Sequence, residues 1–471
     1  MRVVLLALTL LCCLAQAQEN DVVRVLKNTG YITEPVIFKN KILFTVDHSD
    51  YGEEPWVSDG TEAGTFILSD IVSGPSSSDY HRYRTSFRRI FYISGNLAYF
   101  TVNRDKWHEQ LWVTDGSQEG TRLLKEFEVG CDPYCQRSTS KYGRTSMLLF
   151  IPYKNMMFFT LQLADGSYSL WRTDGTETGT ELFHNGRVIS GKMFQGSLYF
   201  TVENKDSSPN RNDIWSSDGF SKEFKMSLPA STRMVAVDEN YIYTLSSDKL
   251  TIGRNQGEDG TQVNLIEISS GISGSSNTAI VRQNANYIVL AIGRELWSVS
   301  KATGAAGKVF DMMDQANEID LVGEKVYVTT FDDGLIVTDG TINGSYTVDP
   351  DKRNRLVSSQ DSANLFFIQQ DAEEVASLYR VDYNQNSVLF ETSYPKIDNI
   401  NYLTDSVMTN GIIFSKAHNY IDNVEPMELW AYKVSNVDTP DASSDEGGGG
   451  AINPFILILF GFYLGALRRR A

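Results

Sequence analysis

The side chains best suited to chemistry are few and fall in three polar segments. The chain has five histidines among 471 residues. Of these, His48, His108 and His418 stand in HSDYGEEP, NRDKWHEQ and HNYIDNVEPME. Each segment joins an imidazole to a carboxylate and an aromatic ring: His48 with Tyr51 and Glu53, His108 with Trp107 and Glu109, His418 with Tyr420 and Asp422. Imidazole with carboxylate binds a divalent metal, paired carboxylates do acid and base work on glycosides, and Tyr or Trp faces stack on sugars. His81 opens a basic segment, HRYRTSFRR, whose guanidinium groups suit an anionic glycan or carboxylate. No catalytic residue stands out, since there is no nucleophile elbow, Walker loop, dinucleotide fingerprint or HExxH motif. The residues define no metal site and call for no cofactor, although calcium or another divalent metal is compatible with the same groups.

The elements that carry these segments are repetitive. LWVTDGSQEGT begins at Leu111 and LWRTDGTETGT at Leu170, with close copies PWVSDGTEAGT from Pro55 and LIVTDGTINGS from Leu335, and a truncated IWSSDG from Ile214. Each phrase is a strand, a tight turn and the start of another strand: Gly accepts positive φ, and Asp and Thr hydrogen-bond the turn backbone. The aspartates Asp59, Asp115, Asp174, Asp218 and Asp339 are spaced too widely for a shared catalytic pair. Turn chemistry accounts for them, and calcium held in each turn is the alternative.

An apolar strand precedes each phrase: KILFTV from Lys41, LAYFTV from Leu97, MMFFTL from Met156, SLYFTV from Ser197. Weaker copies follow as YIYTLS from Tyr241, YIVLAI from Tyr287, KVYVTT from Lys325, LFFIQQ from Leu365 and IIFSKA from Ile412. The mean period of about 46 residues suits four short strands per unit, the size of a β-propeller blade. The expectation is therefore all-β: a single β-propeller over residues 18–437 with eight or nine four-stranded blades. The last unit, ELWAYKV from Glu428, lacks an outer strand, and VVRVLKNTG near the N-terminus reads as the missing one. That strand closes the ring and removes an exposed sheet edge.

With strands A to D running from axis to rim, the Asp-Gly-Thr turns fall on one face. Loops between strands B and C, and the connections between blades, fall on the other. His48, His108 and His418 then lie in B–C loops of neighbouring blades, and His81 and His184 in connections, so all five histidines map to one face.

The formal charge of −17 and a pI near 4.8 argue against a nucleic-acid partner, which requires Lys and Arg on phosphates. Residues 1–17 form a signal peptide: Arg2, an apolar run, then Ala15-Gln16-Ala17, with signal peptidase cutting between Ala17 and Gln18. A lipoprotein site at Cys12 or Cys13 is the alternative. Export makes a Cys131–Cys135 disulfide the expected state of CDPYC. Residues 438–450 form an acidic, Gly-rich linker, 451–467 an apolar span just long enough to cross a bilayer, and 468–471 a basic cytoplasmic tail.

Two resemblances rest on these residues. The repeated phrase resembles the bacterial ELWxTDGTxxGT repeat, a β-propeller-like family of exported proteins, over residues 22 to about 436. That family as such implies no reaction. The linker, span and arginines resemble the GlyGly-CTERM sorting signal of Gram-negative bacteria. It implies a rhomboid-type sorting protease as partner, cleavage near Gly447, Gly448, Gly449 and Gly450, and transient anchoring in the inner membrane. The destination it implies is the cell surface or medium; a permanent single-pass anchor is the alternative. The functional expectation is a surface-delivered propeller that binds an extracellular glycan or protein without catalysis. A polysaccharide-degrading hydrolase or lyase and a structural envelope protein are the alternatives.

Overall fold

The computed structural model describes residues 22–74, 91–103, 107–129, 147–205, 208–230, 232–246, 251–256, 261–267, 280–350, 354–359, 365–370, 376–382, 387–393, 400–419 and 427–434. Residues 1–17, expected to be a signal peptide, His81 with its basic run, Cys131, Cys135, and residues 438–471, expected to be linker, span and tail, lie outside these residues. Among the described residues no helix is long and apolar enough to cross a membrane.

Why the B strands read as near-continuous apolar runs is plain from their surroundings. Successive side chains point to opposite faces of a strand, and here both faces are covered. In the first blade Ile42, Phe44 and Val46 pack toward the last blade, whereas Leu43 packs toward the second. In the third, Met157, Phe159 and Leu161 face the second blade and Phe158 faces the fourth. A blade is thus a slab buried on two sides, and its polar residues are pushed to the turns.

Among the described residues thirty-six strands form eight hydrogen-bonded sheets, seven of four strands and one of eight. The large sheet contains two four-stranded units. Its inner strands Asn354–Ser359 and Ile400–Thr409 are joined by a short parallel contact, Ser358 opposite Val407 and Ser359 opposite Met408. Nine blades result, I to IX in chain order, each an antiparallel meander. Nine hydrophobic clusters match them, one at each junction between neighbours, including IX with I. All nine B strands anticipated from sequence are present.

Closure is by the N-terminal strand Val22–Thr29, which pairs antiparallel with Met427–Lys433 as the outer strand of blade IX. Arg24 donates to Glu428 at 3.0 Å, and the Thr29 hydroxyl donates to the Met427 carbonyl at 3.0 Å. The ring has no free edge at the seam.

The repeated corner is one network used several times. In blade III, Asp174 Oδ1 accepts from the Thr176 amide and hydroxyl at 2.9 and 2.7 Å, and Thr176 Oγ1 accepts from the Gly179 amide. The Thr180 hydroxyl donates to the Thr176 carbonyl. Blades I, II and VII repeat it around Asp59, Asp115 and Asp339. Both glycines are explained. Gly175 has φ +90°, and a Cβ at Gly179 would sit 2.1 Å from Asp174 Oδ1. The first glycine also seats the corner on the preceding blade: Gly60 against Ile412, Gly116 against Phe38, Gly175 against Leu97, Gly340 against Tyr287. The corner therefore sets the spacing between blades.

Candidate ligand-binding face

The face opposite the corners carries the B–C hairpins. In blade I, strands Lys41–His48 and Gly52–Ser58 are joined by residues 49–51. Such a short connection folds the three aromatic groups of the segment together. The His48 ring lies 5.2 Å from Tyr51 and 5.6 Å from Trp56, and Tyr51 meets Trp56 edge-on at 6.4 Å. The Asp50 amide donates to His48 Nδ1 at 3.2 Å, which puts the proton of the neutral imidazole on Nε2.

The carboxylates do something other than face solvent. Glu109 is fully buried, and its Oε2 accepts from the Met147 amide at 2.9 Å, tying blade II to the start of blade III. Glu53 Oε1 accepts from the Thr45 hydroxyl at 3.3 Å. Beside it, Glu54 is fully buried and accepts from the Ile71 and Val72 amides at 3.1 and 3.0 Å. Buried carboxylates holding backbone amides secure blade connections, because such hydrogen bonds offset their desolvation.

Trp107 precedes the strand His108–Thr114 and is 43% exposed. His108 is half-buried at that strand's start. His418 lies at the hairpin end of the strand Ile412–Asn419, opposite Met427. Its side chain, and Tyr420 and Asp422 entirely, lie outside the described residues. Ring order makes blades IX, I and II neighbours, so the three hairpins occupy one sector.

One placement needs correction. His184 is not in a blade connection: it belongs to the outer strand Glu181–Asn185, opposite Leu170. Its ring packs 5.2 Å from Trp215 and 5.8 Å from Phe200. Burial, then the nearby Lys222 charge, pushes its pKa down to about 4. A register shift between Leu170 and Trp171 sets His184 opposite Leu170 within the sheet.

A further aromatic on this face escaped the sequence reading. Tyr31, in the link from the closing strand to blade I, is 52% exposed, and its carbonyl accepts from the Asp47 amide at 2.9 Å. Lys416, itself buried in blade IX, lies 5.6 Å from the Tyr31 ring, ion-pairs with Asp405 and donates to the Ile32 carbonyl. Only knowledge of which blades close the ring could have pointed to Tyr31.

The corner aspartates are engaged within their own turns. The Ser117 hydroxyl, then its amide, holds the Asp115 carboxyl below its ordinary range despite desolvation. Among the described residues no group of three His, Cys, Asp or Glu side chains is placed to hold a metal ion.

No family model and no curated protein matches the chain. Solved structures are similar in fold. The β-propeller domain of the Trilobed protease from Pyrococcus furiosus is 14% identical, covering 78% of this chain and 100% of that one, with a TM-score of 0.41. Saccharomyces cerevisiae Sqt1 is 8% identical, covering 80% and 98%, at 0.42. Apo AztD from Citrobacter koseri is 11% identical, covering 78% and 99%, at 0.40.

Proposed function

We propose that this β-propeller is exported and binds an extracellular ligand, a glycan or a protein surface, through the loop face of blades IX, I and II, without chemistry of its own. The observation that carries the reading is a set of exposed aromatic rings in one sector: Tyr31, Tyr51 and Trp107, at 52%, 36% and 43% exposure. Tyr51 is stiffened from behind by His48 and Trp56. Rigid aromatic planes give large contact area at small entropic cost and stack on sugar rings. A glycan is therefore the favoured ligand.

Delivery rests on the termini. Residues 1–17 direct export, and the Gly-rich linker, apolar span and arginines direct a rhomboid-type protease to release the propeller at the surface. The repeated phrase aligns the chain with exported ELWxTDGTxxGT-repeat proteins. The burial of Glu109 counts against the polysaccharide-cleaving alternative, since an acid or base must reach its substrate.

Glycan-array binding by the exported protein is the test. Tyr51→Ala and Trp107→Ala should each weaken binding about tenfold, the scale of losing one stacked ring. Retention of full affinity by the double variant, or absence of any bound glycan or envelope component, sinks the proposal.

A further inference from the structure

A repeat makes departures from itself visible, and the clearest ones lie along the axis. In five blades an apolar inner-strand residue stands opposite the third position of the B-strand motif. These pairs are Val36 with Leu43, Tyr92 with Tyr99, Ile151 with Phe158, Leu356 with Phe367 and Val407 with Phe414. Blades IV and VI place Lys192 and Arg282 there instead, opposite Tyr199 and Val289, and blade VII places a carboxylate, Asp320, opposite Tyr327. Blade V, between them, places Arg233 opposite Leu245, two residues nearer the loop face. The inner strands of IV, V and VI contact one another in sequence around the axis. Three successive blades of an acidic protein thus carry cations on their innermost strands.

Such an arc opposes itself. Burial, then the Arg282 and Arg233 charges, holds the Lys192 ammonium below its ordinary pKa, and burial does the same to Arg233. Among the described residues no carboxylate pairs with Lys192 or Arg282. Arg282 donates only to the carbonyls of Val281 and Ile319, at 3.1 and 2.7 Å, and so keeps three of its five N–H groups for another acceptor. The Lys192 side chain is partly covered yet still open to solvent. Repelling cations held by a rigid scaffold are complementary to an anion, and a guanidinium fork recognises planar or tetrahedral oxyanions by paired hydrogen bonds.

We propose that Lys192, Arg233 and Arg282 form an oxyanion-binding site on the propeller axis, for a carboxylate or phosphate group. A small organic anion and the acidic end of a polymer share this chemistry. The site is independent of the aromatic sector.

The full-length chain is titrated by calorimetry with inorganic phosphate, citrate and a short oligogalacturonate, as wild type, Lys192→Met, Arg282→Gln and the double variant. At least one probe binds the wild type, and the double variant binds it at least about tenfold more weakly, the scale of losing two charge-assisted contacts. Without anion, Lys192→Met melts at a higher temperature than wild type, because a repelled charge is gone while the apolar stem remains. That rise separates lost binding from lost folding. Binding of phosphate or citrate identifies a small anion, and binding of oligogalacturonate alone identifies an acidic polymer. Equal affinity in wild type and double variant, or no binding of any probe, overturns the site. Trp107→Ala leaves the phosphate and citrate titrations unchanged, so the two readings fail separately.

Discussion

The corners and the inner strands of this propeller are built on opposite principles. At the corners, blades I, II, III and VII place the same side chains in the same hydrogen bonds: Ser117 and Asp115 do in blade II what Thr176 and Asp174 do in blade III. The repeated bonds lie within the turn, and Lys39 and Arg122 of the preceding blades donate to the Asp115 and Gly175 carbonyls. Along the axis, the same register position holds Val36, Tyr92, Ile151, Lys192 and Arg282 in different blades. What recurs builds the ring. What differs is available for recognition, because a ligand on the axis meets the blades one at a time.

That contrast breaks first at the corner glycines. Gly340 has φ +98°, and a Cβ there would come within 2.5 Å of the Tyr287 ring. Gly340→Ala combines backbone strain with a clash across blades VI and VII, and should cost about 3 kcal/mol or more. A Cβ at Gly307 meets nothing within 4 Å, so Gly307→Ala should stay within about 0.5 kcal/mol of wild type. Urea unfolding of both variants checks this; similar losses would mean that the corner does not set blade spacing.

A smaller effect comes from the aspartate itself. Asp174→Ala leaves the Thr176 amide and hydroxyl without their acceptor and should cost about 1–2 kcal/mol, whereas Asp174→Asn keeps an acceptor oxygen and should cost about half that or less. If Asn proves as damaging as Ala, charge rather than hydrogen bonding holds the turn.

Smaller again is the contribution of the residue two before each tryptophan. Trp112, Trp171, Trp297 and Trp430 donate their indole N–H to Gln110, Ser169, Glu295 and Glu428 at 2.9 to 3.1 Å. Ser169→Ala strands the Trp171 N–H and should lower stability by about 1 kcal/mol. Blade I shows that such a loss is tolerated. There Glu54 turns to the Ile71 and Val72 amides, and the buried Trp56 N–H has no acceptor.

The ring was legible in the sequence because its rules are local. B strands announce themselves when both faces are buried, the corner needs Gly at positive φ, and the closing strand follows from counting. The candidate face was legible only hairpin by hairpin: His48, Tyr51 and Trp56 meet because the chain folds back at once. Glu109 was misleading, since no local pattern reveals that its carboxylate turns inward to an amide 38 residues away. Lys192, Arg233 and Arg282 are far apart in sequence, and their neighbourhood exists only once nine blades share an axis. Aligning the A strands by their B-strand partners would have exposed Lys192 and Arg282, together with Asp320, as charges at a position that is apolar in other blades.

His184 tests the boundary between the two kinds of region, because it sits toward the loop face yet packs like a structural residue. Its Nδ1 is buried without a hydrogen-bond partner, its ring rests on Trp215 and Phe200, and its pKa falls from 6.5 to about 4. The unfolded chain takes up this proton near pH 6.5 and the folded chain only near pH 4. Between those values the unfolded state holds more protons, so stability declines as pH falls and the loss is complete below about 4. Allowing for its partial exposure, the contribution is about 1 kcal/mol. His184→Phe keeps the aromatic contact and cannot charge. Its unfolding midpoint should match or exceed wild type at pH 7 and lose less on going to pH 5, with glycan binding unaltered. A variant that keeps the wild-type pH slope would show that the ring is solvated, and one that loses ligand affinity would extend the recognition face to blade III.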